Sequence, residues 1–242
     1  MRPLRLAALA LLVSASIAAA LALVGGERQA PIVARPDNQR PTLMLLTSLP
    51  IVFGEKFGLG EGGSAALSRL ETRYRVQPIS LADSASLNGA RLLLAAHPNA
   101  QPAENLVELD KWVRGGGRLL LLADPTLEWQ SERPLGDRLR PPPGFADTGL
   151  LAHWGLRLDA PETRGPTERT VAGRRVLVAS PGRLVGRCPT EADGLVAHCS
   201  VGRGRVTIIA DADFLDERGV EGATRADNLD WLTSELANLE SH

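Results

Sequence analysis

The stretch from Pro102 to Pro125, PAENLVELDKWVRGGGRLLLLADP, constrains this chain most, because one short run encodes a helix, its stop and a strand covered on both sides. Leu106, Leu109 and Val113 stand at i, i+3 and i+7 on one helix face, while Glu104, Glu108, Asp110, Lys111 and Arg114 lie mostly away from it. Pro102 suits the first turn, where its missing N–H is not needed, and Gly115 to Gly117 supply the left-handed geometry that ends a helix. Leu119 to Ala123 is then an unbroken apolar run too short for a second helix, the pattern of a strand buried on both faces of a parallel sheet. Asp124-Pro125 stops it and leaves a carboxylate at the strand's C-terminal end, where open α/β sheets present polar groups to a crevice.

The flanking sequence repeats this logic. Leu43 to Leu46 reads as a first buried strand with Thr47-Ser48-Leu49-Pro50 as the turn after it. Ser64 is placed to cap a helix with Leu67 and Leu70 inward, Tyr74 to Ile79 is a second strand, and Arg91 to Ala96 a third, ending at His97-Pro98. The rhythm predicts an α/β fold, a doubly wound and mostly parallel sheet of the flavodoxin or amidotransferase kind. Thr126 to Gly144 reads as an ordered, Pro- and Arg-rich excursion. Phe145 to Trp154 is expected to be helical and Gly155 to Leu158 a strand. Val176 to Ala179, Gly182 to Cys188, Leu195 to Val201 and Arg205 to Ala210 read as strands that include a C-terminal antiparallel hairpin. A last helix places Leu229, Leu232, Leu236 and Leu239 on one face and opens near Asp227.

The N-terminus is of another character. Arg2 and Arg5 precede a run from Leu6 through Gly26 without a charged residue, long enough as a helix to cross a bilayer once. We expect residues 1–26 to be an uncleaved signal anchor, 27–41 a tether and 42–242 the α/β domain. The expected address is the bacterial inner membrane, single-pass through residues 6–26, with the domain periplasmic; the alternative is secretion after signal cleavage. The 27 Lys plus Arg and 28 Asp plus Glu leave a net charge of −1, so no global field favours nucleic acid as a partner. Lys56 and Lys111 are the only lysines, a preference for arginine that reads as genome composition rather than binding.

Cys188 and Cys199 admit one intramolecular pair. With Asp193-Gly194 as a two-residue turn, facing residues sum to 387, as 188 and 199 do, which puts the two Cα atoms within disulfide reach. A disulfide is favoured over free thiols, and both over a metal pair with His198, which would point to the opposite strand face.

At the predicted strand ends stand Thr47, Ser48, His97, Asp124, Asp211 and Asp213, a candidate ligand-binding rim, though each has an ordinary use in capping a loop or helix. The GLGEGG of Phe53 to Ser64 lies too far from Leu46 for a dinucleotide fingerprint, and no Gly-Lys-Ser/Thr follows, so a plain loop or lid is expected and no cofactor. TIIADAD, Thr207 to Asp213, resembles the entrance strand of haloacid-dehalogenase-type phosphohydrolases, but no lysine follows it. Neither cysteine sits on a strand-to-helix elbow, so the nucleophile of class I glutamine amidotransferases is missing.

The set LLTSLP (Leu45 to Pro50), LVELDKWVRGGGRLLLLADP (Leu106 to Pro125) and VGRGRVTIIADADFL (Val201 to Leu215) resembles the GldG-like, ABC-type transport-associated domain family. That resemblance implies a membrane-tethered, amidotransferase-like domain without the nucleophile, with Asp124, Asp211 and Asp213 as rim positions. The leading expectation is a non-enzymatic periplasmic accessory domain that binds a partner or small ligand for an ABC-type export or envelope assembly system. A hydrolase using Asp124, Asp211, Asp213 and His97, with a divalent metal, is the competing reading, and an envelope spacer the third. Two of the aspartates close together in an open cleft would favour the hydrolase, and separate capping bonds the binder.

Overall fold

The computed structural model describes residues 33–54, 63–216 and 225–241, all within one compact unit spanning Ile32–His242. The apolar run 6–26, the first part of the tether and most of the glycine-rich loop lie outside the described residues. Among the described residues no helix is long and apolar enough to cross a membrane.

The strands are β1 (Thr42–Thr47), β2 (Arg75–Ile79), β3 (Leu92–Ala96), β4 (Arg118–Leu122), β5 (Leu156–Asp159), β6 (Pro166–Val171), β7 (Arg174–Ala179), β8 (Arg183–Gly186), β9 (Thr190–Glu191), β10 (Val196–Val201) and β11 (Gly204–Ile209). The helices are α1 (Ala65–Glu71), α2 (Ser84–Leu87), α3 (Ala103–Arg114), α4 (Leu150–His153) and α5 (Arg225–Ser241). The central sheet has seven strands in the order β2-β1-β3-β4-β11-β10-β9, of which β2, β1, β3, β4 and β11 run parallel. The strand order turns back between β1 and β3, which makes their C-terminal ends the sheet's topological switch point.

Alternate residues explain the apolar runs. Leu43, Leu45, Leu94, Leu120, Leu122 and Ile209 pack on one face with Leu70 of α1 and Trp231, Leu232 and Leu236 of α5. Met44, Leu46, Leu93, Leu119, Leu121 and Ile208 pack on the other with Leu109 and Val113 of α3 and Leu151 of α4. A strand with helices on both sides has no polar face, so every position reads as hydrophobic. Ser64 caps α1 by accepting from the Leu67 amide. Edge strand β2 carries Pro78 on its free side: Arg75 donates its amide inward to Pro41, so by alternation the residue without an N–H faces outward and blocks further pairing.

The structure amends the sequence reading in four places. Phe145 to Trp154 is helical only over Leu150–His153, because Phe145 is held by the Asp124 carbonyl and Asp147 caps the turn that follows. The segment preceding Val176 is a strand, β6, hairpinned to β7 through Ala172 and Gly173, both at positive φ. The strand read over Gly182 to Cys188 is β8, which pairs with β5 in a separate two-stranded sheet. Helix α2 lies unforeseen between β2 and β3, capped by Asp83.

The expected register of the cysteine hairpin holds. Asp193 and Gly194 have φ of 57° and 85°, the Leu195 amide donates to Ala192, and Glu191 faces Val196. Cys188 and Cys199 form a disulfide with Cα atoms 5.1 Å apart.

Candidate functional site

Sequence reasoning gathered six residues at the strand ends; the structure divides them into two groups. Thr47 and Ser48 follow β1, and His97 follows β3, at the switch point where an open α/β sheet would offer its crevice. Here the gap is stitched. Thr47 donates to the Ala96 carbonyl and accepts from the Leu49 amide, while Ser48 donates to the His97 carbonyl. His97 is fully buried at a φ of 44°, and its Nε2 donates to the Pro142 carbonyl at 2.9 Å. Burial holds its imidazole below the ordinary histidine range, and among the described residues Nδ1 has no partner.

Asp124, Asp211 and Asp213 form the second group, with carboxylate oxygens all within 4.8 Å of one another. Register explains the meeting: Leu122 of β4 faces Ile209 of β11, so Asp124 and Asp211 each stand two residues past a paired position. All three are buried. Asp124 accepts from the amides of Thr126 and Ala212, Asp211 from those of Ala179 and Phe214, and Asp213 from that of Glu128. Asp124 and Asp213 also stand close enough for each carboxyl to bias the other's ionisation. Burial pushes all three carboxyls up, Asp124 to about 6, Asp213 to about 8 with help from the Asp124 charge, and Asp211 well above its ordinary value.

The sequence did not reveal two further members of this network, Glu128 and Ser180. Buried Ser180, at a φ of 48°, accepts from the Gly165 amide and donates to the Glu128 carboxylate. The network thus ties the ends of β4, β7 and β11 to the excursion after Asp124. That excursion is closed at its base by Phe145 to Asp124 and Leu127 to Pro143 backbone bonds, and Trp129 packs against the core.

The arrangement is chemically a clasp. A hard cation would want six or more oxygen ligands, whereas both oxygens of Asp211 and of Asp124 are already taken by backbone N–H groups. The residues present fit a shared proton better than a divalent metal. Closeness of the carboxylates, which a hydrolase requires, is met, but among the described residues they are buried. Beside the stitched switch point, Leu45, Thr47, Ser48, Phe53, Pro78 and Leu139 help to line a separate cavity of about 290 Å³.

The chain resembles several solved structures in fold. The mmIFT52 N-terminal domain matches at 14% identity and a TM-score of 0.54, over 81% of this chain and 97% of that one. Gan42B, a GH42 β-galactosidase from G. stearothermophilus, matches at 14% identity and a TM-score of 0.50, over 85% of this chain but 30% of its own. The exo-β-1,4-mannosidase Op5Man5 from Opitutaceae bacterium strain TAV5 matches at 15% identity and a TM-score of 0.44, over 84% of this chain and 35% of its own. The chain therefore spans about a third of the length of the glycosidases it matches. No curated protein matches it. The family model for an ABC-type uncharacterized transport system covers residues 40–164, from β1 through β5 and including the clasp aspartate Asp124. With more than half of its length matched, this chain belongs to the ABC-type uncharacterized transport system family.

Proposed function

We propose that the protein is a non-enzymatic accessory domain of the GldG-like kind, tethered to the inner membrane through residues 6–26 and working in the periplasm beside an ABC-type transporter or envelope assembly complex. The observation that carries the non-enzymatic part is the clasp. Three strand-end aspartates, the natural place for catalytic carboxylates in such a sheet, are sealed from solvent and occupied by backbone donors. A carboxyl so buried and so held by backbone amides is poorly placed to reach a substrate. The disulfide supports an oxidising compartment, and the charge-free run after Arg5 supports the tether. The cavity at Thr47, Ser48 and Phe53, with mostly apolar walls, is where this reading puts a small ligand or a partner's side chain.

The test is made on the full chain in its own cell. Fractionation should place it in the membrane with both cysteines protected from alkylation until reduction, and mild crosslinking should recover an ATPase and a permease with it. Recovery in the cytosol with two free thiols would sink the address. A hydrolytic turnover lost on Asp213→Asn, with the fold intact, would sink the non-enzymatic reading.

A further inference from the structure

The domain's charge is sorted along its strands. The C-terminal ends hold the buried carboxylates; the N-terminal ends hold arginines. Arg75 opens β2 opposite Thr42, Arg91 immediately precedes β3, Arg118 opens β4, and Arg205 faces Arg118 across β11. Strand register therefore gathers four arginines at the N-terminal end of the sheet, Arg75 and Arg91 level with Thr42, and Arg118 and Arg205 one residue further along on the alternate face. Arg75, Arg91 and Arg205 are exposed and Arg118 is half-buried. Arg75 donates to the Thr42 hydroxyl, and Arg118 to the carbonyls of Gly116 and Arg203. Among the described residues none of the four pairs with a carboxylate. The nearby acids are engaged elsewhere, Glu240 by Arg35 and Asp37 by Arg40.

Arg91, Arg118 and Arg205 stand close together. Burial first, and then the positive charges of Arg205 and Arg91, hold the Arg118 guanidinium below its ordinary value. Unbalanced like charges close together call for a counter-anion, and planar guanidinium forks favour phosphate. A cavity of about 340 Å³ opens at this end, lined by Arg91, Arg118 and Gly116 together with Pro41 and Thr42, and by Glu240, whose carboxylate is held by Arg35. The polypeptide enters the domain at the same place, since Pro41 accepts from the Arg75 amide and Arg35 donates to Thr72.

We propose that the row Arg75, Arg91, Arg118 and Arg205 is a phosphate-binding face that rests on anionic phospholipid headgroups of the membrane. The choice of lipid over a free phosphate ester rests on the tether read above, because the chain reaches the domain at this end. Each arginine near an anionic leaflet adds to the attraction, and high salt removes it.

The full chain is reconstituted in vesicles of phosphatidylcholine alone and of phosphatidylcholine with added phosphatidylglycerol, and amide hydrogen exchange is followed over 112–119 and 201–206. The expected result is exchange slowed at least about fivefold in the anionic vesicles, the factor one arginine supplies at such a surface. High salt and the triple variant Arg91→Gln, Arg118→Gln, Arg205→Gln should each abolish the slowing, the variant keeping the parent's urea midpoint. Equal exchange in the two vesicles overturns the proposal. So does equal slowing by inorganic phosphate added to the neutral vesicles, which would give the row to a soluble ligand. The tether is read separately, by flotation with phosphatidylcholine alone. A chain that fails to float there loses its anchor, while arginine-dependent recruitment by phosphatidylglycerol would still support the row.

Discussion

Asp124 and Asp213 bring carboxyl oxygens within 4.8 Å of one another in the interior, although they follow different strands. Two ionised carboxylates would repel at that distance in a buried site, so burial and mutual repulsion hold a proton there. The folded state therefore binds protons that an unfolded chain, with ordinary carboxyls, releases near pH 4. The slope of stability with pH is negative over that window. Stability should be fullest in mild acid and should fall as pH rises through about 6, where Asp124 titrates, and about 8, where Asp213 does. Unfolding free energies from urea titrations at about pH 5, 7 and 9 should decline in that order, by a total on the order of a few kcal/mol. Asp213→Asn keeps an acceptor for the Glu128 amide and a donor toward Asp124, so it should flatten the decline; a midpoint rising with pH in the parent would contradict the shared proton.

Asp211 tests the clasp from the other side. Its two oxygens take the amides of Ala179, at the end of β7, and Phe214. Asp211→Ala leaves both buried donors unpaired and should cost about 2–5 kcal/mol, with Asp211→Asn costing clearly less because one acceptor survives. Hydrogen exchange should rise at Ala179 and Phe214 in the alanine variant. A surface-like change within about 0.5 kcal/mol would show that the clasp holds nothing.

The three glycines after α3 are needed for different reasons. Gly115 has a φ of −70°, an ordinary helical value, whereas Gly116 has 114°. A Cβ on Gly117 would lie 2.4 Å from the Trp112 ring, and one on Gly204 2.0 Å from the Val113 carbonyl oxygen. Gly204→Ala strikes backbone that cannot move without opening β11 from the end of α3, so it should cost about 3 kcal/mol or more. Gly115→Ala should stay within about 1 kcal/mol. Thermal denaturation of the three single variants, Gly115→Ala, Gly117→Ala and Gly204→Ala, should rank them in that order of increasing damage.

Legibility in the sequence followed the range of the interaction. The β4 run, the face of α3 and the Ser64 cap were readable because burial on both sheet faces and local geometry leave their mark within a dozen residues. The β6–β7 hairpin was missed because PTERTV alternates with few apolar residues and its turn, Ala172-Gly173, lacks the usual Asn or Asp. The aspartates were nominated correctly as strand-end neighbours, yet their burial was invisible. It is made by the excursion, through Glu128 and Ser180, whose partners lie far away in the chain. The arginine row was read as composition, because only the register of five strands brings those ordinary residues together.

The Cys188–Cys199 bond offers the last test, because its pairing and its location bear on different conclusions. The bridge closes a short loop, with a sequence separation of 11, and spans β10 and the chain just before β9. In the chain-entropy model that closure is worth about 3 kcal/mol, because the reduced, unfolded chain regains freedom that the oxidised one lacks. The double variant Cys188→Ser, Cys199→Ser should lower stability by about that amount in oxidising buffer and match the parent in excess reductant. Since β9 is a two-residue edge strand held by two register pairs, the loss should appear first as faster exchange over 189–197, before the parallel strands respond. Uniform destabilisation of β1, β3 and β4 would instead mean that the hairpin is part of the central cooperative core. A parent already insensitive to reductant would mean that the bond contributes nothing, and with it would go one support for placing this domain in an oxidising compartment.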